Sequence, residues 1–138
     1  MCPAEDPAAE HEAAMGPMVL IVEDEVLPRL AMAEHLRDCG FQVVEAGNGA
    51  EAQALILGGL KPNLVFSDIT MPGGVDGMDL ALWLMVQSPD TLVVLTSGLP
   101  DSLAKAETAC KHVRAFIPKP YDHNFVADRF RSLLQAAG

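Results

Sequence analysis

From Met18 onward the chain alternates short unbroken apolar runs with longer stretches whose apolar residues recur at helical spacing. The first run, Met18 to Val22, reads MVLIV, the pattern of a strand covered on both faces. Val26 to Cys39 then carries Leu27, Leu30, Ala31, Ala33 and Leu36 at helical spacing. Pro28 falls in its first turn, where a missing N–H does no harm, and Gly40 is a C-terminal stop. Phe41 to Ala46 reads as a second strand. Gly47 or Asn48 caps a helix through Leu57, ended by Gly58 and Gly59. Asn63 to Ser67 is a third strand, followed by a loop with Pro72, Gly73 and Gly74. A third helix spans Gly77 to Gln87, with Leu80, Leu82, Trp83, Leu84 and Val86 expected largely inside. Thr91 to Leu95 is strand four, Pro100 to Lys111 helix four, and Arg114 to Ile117 strand five. Asp122 to Ala136 forms the last helix, with Phe125, Val126, Phe130, Leu133 and Leu134 marking its inner face.

Five strands alternating with five helices predict parallel neighbours joined by right-handed crossovers. The expected fold is α/β: a three-layer, doubly wound (βα)5 sandwich that binds ligands at the carboxyl ends of its strands. Strands one and three are expected to be neighbours at the switch point. Residues 1–17 differ in composition. They hold Glu5, Asp6, Glu10, Glu12, three prolines and no Lys or Arg, and are expected to form a flexible acidic tail before one domain at 18–138.

Charge narrows the partners. Nine basic against 19 acidic residues give a net charge of −10, which disfavours nonspecific binding to nucleic acid or anionic membrane. No run approaches the roughly 18 apolar residues of a membrane span. The N-terminus lacks a basic region followed by an apolar one, so a cytoplasmic location is the default. Cys2, Cys39 and Cys110 show no metal-like spacing and read as inert thiols in a reducing compartment.

The candidate chemistry follows the apolar runs. Glu23, Asp24 and Glu25 come after strand one, Asp68 after strand three, Thr96 after strand four and Lys119 after strand five. In a parallel sheet these groups emerge at one edge. Adjacent carboxylates repel unless something neutralises them, and a hard divalent cation such as Mg2+ would do so. Taken singly, each has a blander role: Asp24 or Glu25 as a helix cap, Asp68 or Thr96 in a turn, Lys119 in solvent. Asp76 and Asp79 read as helix-start residues. No phosphate loop, dinucleotide fingerprint, nucleophile elbow or histidine cluster is present.

In order along the chain stand VLIVEDE at 19–25, FSDITMP at 66–72, DG at 76–77, LTSG at 95–98 and FIPKPY at 116–121. Together these segments resemble the receiver domain of bacterial response regulators, from about Pro17 to Ala137. The resemblance implies a flavodoxin-like sheet of order 2-1-3-4-5. It implies Asp68 as phosphoacceptor from a sensor histidine kinase or histidine phosphotransfer protein. It implies Mg2+ held by Asp24, Asp68 and the Thr70 backbone carbonyl, with Glu23 acting through metal-bound water. Lys119 would pair with the acceptor and then with a phosphoryl oxygen. Thr96 and Phe116 would switch together, and a downstream protein would read helix four, strand five and helix five. The loop MPGGVDG has one residue more than the commonest family form, and Phe116 replaces the more frequent Tyr.

Two other readings stand beside this one. A phosphate-independent interaction module would keep the fold and dock partners regardless of Asp68. A phosphatase would use Asp68 as nucleophile, but Thr70 stands where many such enzymes need an acid; no turnover of an external substrate is expected. With no effector segment after Gly138, output is expected through a partner, or the protein serves as a phosphate sink, and a receiver appended to a sensor kinase would read alike.

Overall fold

The structure is a computed structural model that describes residues 16–137. Its elements run β1 (Met18–Val22), α1 (Val26–Asp38), β2 (Gln42–Ala46), α2 (Gly49–Leu57), β3 (Leu64–Asp68), α3 (Gly77–Gln87), β4 (Leu92–Ser97), α4 (Pro100–Ala109), β5 (Ala115–Pro118) and α5 (His123–Ala137). All five strands are parallel, in the order β2-β1-β3-β4-β5. This is the doubly wound, flavodoxin-like arrangement, with β1 and β3 adjacent at the switch point.

The strand alternation explains the three layers. Val19, Ile21, Leu64, Phe66, Val94 and Ile117 turn to the face covered by α1 and α5, where they meet Met32, Leu36, Val126 and Phe130. Leu20, Val22, Val65, Val93 and Leu95 turn to the other face, against Ala52, Leu80, Leu84 and Ala106 of α2, α3 and α4. Both faces of the central strands are therefore dry, which is why they read as unbroken apolar runs. Phe130 anchors the first layer, its ring edge-on to Phe66 at 5.1 Å between centroids.

Local chemistry fixes the helix starts. Asn48 Oδ1 accepts from the Glu51 N–H at 2.8 Å, and Asp76 with Asp79 forms a reciprocal capping box. Asp122 Oδ1 accepts from the Asn124 and Phe125 N–H groups ahead of α5. Gly40, at φ 97°, turns the chain out of α1.

Several expectations are corrected. Leu27 on α1 is 78% exposed and Val86 on α3 is 73% exposed. Leu30, Leu82 and Phe125 are exposed as well. A helix lying on a sheet buries only one stripe, and these apolar residues fall outside it. Strands β3 and β4 run further than expected, taking in Asp68, Thr96 and Ser97. Cys110 is a buried free thiol. Most of the expected acidic tail lies outside the described residues. Of its last two residues, Gly16 and Pro17 offer carbonyls to Gln42.

The start of α3 packs directly against the end of β3. A Cβ on Gly77 would lie 2.6 Å from Ile69 Cα and collide with the Asp68 carbonyl. Gly77→Ala should therefore cost about 3 kcal/mol, the upper range for overpacking. Urea denaturation checks this. An unchanged midpoint would mean that α3 slides away freely.

Candidate functional site

Parallel register builds the site. Val22 pairs with Ser67, Asp68 with Thr96, and Thr96 with Ile117. Backbone bonds tie the loops beyond the strand ends: Ile69 N–H to Thr96 O at 2.9 Å, and Lys119 N–H to Ser97 O at 2.9 Å. Glu23, Asp24, Asp68, Thr96 and Lys119 thus reach one edge of the sheet, as the sequence predicts. The Lys119–Pro120 peptide is cis.

Lys119 Nζ donates to Asp68 Oδ2 at 2.6 Å and to Glu23 Oε1 at 2.8 Å. The other Asp68 oxygen accepts from the Thr70 N–H at 3.1 Å. Glu23 and Asp68 are buried and Asp24 is half-buried. Burial works against the Lys119 ammonium, but its bonds to Asp68 and Glu23 and their charges outweigh this and hold its pKa above the usual lysine range.

One carboxylate oxygen each from Glu23, Asp24 and Asp68 lie within 4.8 Å of one another. An all-oxygen, anionic donor set of that size fits a hard divalent cation such as Mg2+. Glu25 at the cap position of α1 makes no side-chain capping bond, so its side chain does not cap the helix as the blander reading has it. Loss of solvent, then the hydrogen bond and charge of Glu23, raise the Asp24 carboxyl above its ordinary 3.8. A raised carboxyl pKa means that ionisation opposes folding. The penalty is absent below pH 3.8 and grows as pH rises through the raised value. Asp24→Asn should therefore make the metal-free protein slightly more stable, the gain kept small by solvent screening. It should also erase most of any stabilisation by Mg2+. Thermal melts with and without Mg2+ check both, and a lower metal-free melting temperature would contradict the repulsion argument.

Thr96 bonds to β5 rather than to Asp68. Its hydroxyl is buried and donates to the Ile117 carbonyl on β5 at 2.6 Å. Phe116, beside it on β5, is half-buried against the layer under α3 and α4. An open cleft of about 520 Å3 adjoins the site, lined by Glu25, Pro28, Gly98, Lys119, Pro120 and Tyr121.

Two site residues were not singled out from the sequence. Tyr121 packs on Phe66 at 5.7 Å and, with Asp68 and Thr96, lines a small pocket under the acidic cluster. Burial raises its phenol pKa. Arg29 reaches back from α1 to the Glu23 carbonyl. The available signals were an aromatic next to the lysine and an arginine one turn after three acids.

The family described as response regulator receiver domain matches residues 19–131. The chain is 38% identical over 117 residues to the transcriptional regulatory protein PdtaR of Mycobacterium tuberculosis, covering 83% of this chain and 55% of that protein. The chain thus spans about half the length of the PdtaR relatives it matches. It is 33% identical over 120 residues to the chemotaxis protein CheY of Listeria monocytogenes, covering 86% of this chain and 96% of that protein. Among solved structures, the signal receiver domain of a signal transduction histidine kinase from Syntrophus aciditrophicus is similar, with a TM-score of 0.78 and 30% identity over 88% of this chain and 92% of that one. With the family match spanning most of its length, the chain belongs to the response regulator receiver domain family.

Proposed function

We propose that this receiver domain accepts a phosphoryl group on Asp68 and passes the change of state to a protein partner. One observation carries the reading. Asp68 has one oxygen held by Lys119 Nζ at 2.6 Å while two further carboxylates stand within 4.8 Å. Mg2+ would be held by Asp24, Asp68 and the Thr70 carbonyl, with Glu23 acting through bound water. When bound it supplies positive charge against the phosphoryl oxygens. The donor is a sensor histidine kinase or a histidine phosphotransfer protein. An Asp68 carboxylate oxygen forms the new bond to phosphorus, and the donor's P–N bond breaks with its electron pair left on the imidazole. Such transfer needs mainly positioning and charge neutralisation, and Lys119 supplies both.

The transferred group adds charge beside Thr96. Its hydroxyl exchanges the Ile117 carbonyl for a phosphoryl oxygen, and Phe116 moves into the space vacated. The α4–β5–α5 surface then presents the altered state to a target. Phe116 has no hydroxyl, so this readout is one of shape.

The test is intact mass after incubation with acetyl phosphate and Mg2+, with and without EDTA, over several times. A single Mg2+-dependent adduct is expected. No adduct, together with no Trp83 fluorescence response to beryllofluoride, would overturn the reading in favour of a phosphate-independent interaction module.

A further inference from the structure

Arg29 belongs to α1 but does its bonding outside it. Its Nη1 donates to the Glu23 backbone carbonyl at 2.9 Å, and its Nε to Glu45 Oε1 on β2 at 3.4 Å. The other Glu45 oxygen is taken by Arg37 Nη2 at 3.2 Å. The Arg29 side chain is largely enclosed. Three consecutive acids, Glu23 to Glu25, follow β1, and the cap residue Glu25 makes no side-chain bond to the helix start. The guanidinium thus grips the backbone of the segment that carries the acidic cluster and fixes it to the neighbouring strand.

We propose that Arg29 is a positioning residue for cation binding: it holds the Glu23–Asp24 turn, through the Glu23 carbonyl, in the geometry that brings Glu23, Asp24 and Asp68 together. The proposal rests on the reading of that cluster as a Mg2+ site. A planar fork spans a carbonyl and a carboxylate at once, which the single ammonium of lysine cannot reproduce. Glu45 offsets the guanidinium charge locally, so Arg29 orders the turn without filling the place of the cation.

The sign of one substitution separates positioning from charge. A cation beside a metal site repels the metal, so if Arg29 acted only through charge, its removal would tighten binding. If it positions the turn, removal weakens binding. The probe is Mn2+ alone, titrated by electron paramagnetic resonance at a temperature where the circular dichroism of each variant is native. Arg29→Met should bind about tenfold more weakly than wild type. Arg29→Lys, with charge but no fork, should bind at least roughly threefold more weakly. In acetyl phosphate labelling, the Mg2+ concentration for half-maximal rate should rise about tenfold for Arg29→Met. The rate at saturating Mg2+ should remain near wild type, a split that general structural damage would not produce. Arg29→Met affinity equal to or tighter than wild type overturns the proposal. If that variant does not fold, Arg29→Lys decides: equal affinity overturns it and weaker binding supports it. Wild-type protein that binds no Mn2+ would instead overturn the metal reading of the cluster, and the role of Arg29 with it.

Discussion

Acetyl phosphate and Mg2+ should leave the Asp68→Asn protein unlabelled. The substitution keeps the size and shape of a side chain that is buried at the end of β3. Its amide retains an oxygen that can accept from the Thr70 N–H, which meets Asp68 Oδ1 at 3.1 Å in the native protein. What is lost is the charged oxygen facing Lys119, the nucleophile of the proposed transfer. The loss should be complete within the sensitivity of intact mass, while the circular dichroism remains native. The variant should not be less stable, because it removes one of three mutually repelling carboxylates. Undiminished labelling would move the phosphoacceptor to another residue.

Lys119→Met is expected to slow labelling by about 100-fold or more, the scale of removing one donor aimed at developing charge. Methionine fills the space of the lysine stem, so packing is largely kept while the ammonium is lost. Two consequences follow. Transfer loses the group that orients the acceptor and would meet the phosphoryl oxygen. Glu23 and Asp68 also lose a shared counter-charge at 2.8 and 2.6 Å. Lys119 keeps some solvent contact, so the stability cost should fall below the roughly 3–5 kcal/mol of breaking a fully buried pair. Mg2+ should restore part of it. Single-turnover labelling and urea denaturation with and without Mg2+ measure the two effects separately. A variant that labels at the wild-type rate would remove Lys119 from the transfer step.

The sheet was legible because its chemistry is one-dimensional. A strand covered on both faces is an apolar run wherever it occurs, and Met18–Val22 and Leu64–Asp68 each read as one up to their polar ends. The candidate groups were legible for the same reason: each polar residue stands where an apolar run stops. The helices were less so. Leu27 and Leu82 are as apolar as their buried neighbours, and nothing in residue type tells the stripe against the sheet from the one beside it. Side-chain bonds to backbone carbonyls were not legible at all. The Arg29 bond to the Glu23 carbonyl and the Thr96 bond to the Ile117 carbonyl depend on which backbone oxygen lies within reach. That is settled by register and loop path, which spacing along a chain does not encode.

The two hydrogen bonds from Lys119, to Glu23 and to Asp68, also set an order of events during synthesis on the ribosome. The lysine lies 51 residues after Asp68 and 96 after Glu23. All three clustered carboxylates leave the exit tunnel before their counter-charge does. At 5–20 residues per second, the interval after Asp68 is on the order of 3–10 s. Throughout it the nascent chain carries mutually repelling acids and lacks β5. The acidic edge of the sheet is therefore among the last parts of the domain to close, and a truncated product ending before Lys119 emerges with its clustered carboxylates unpaired by that lysine.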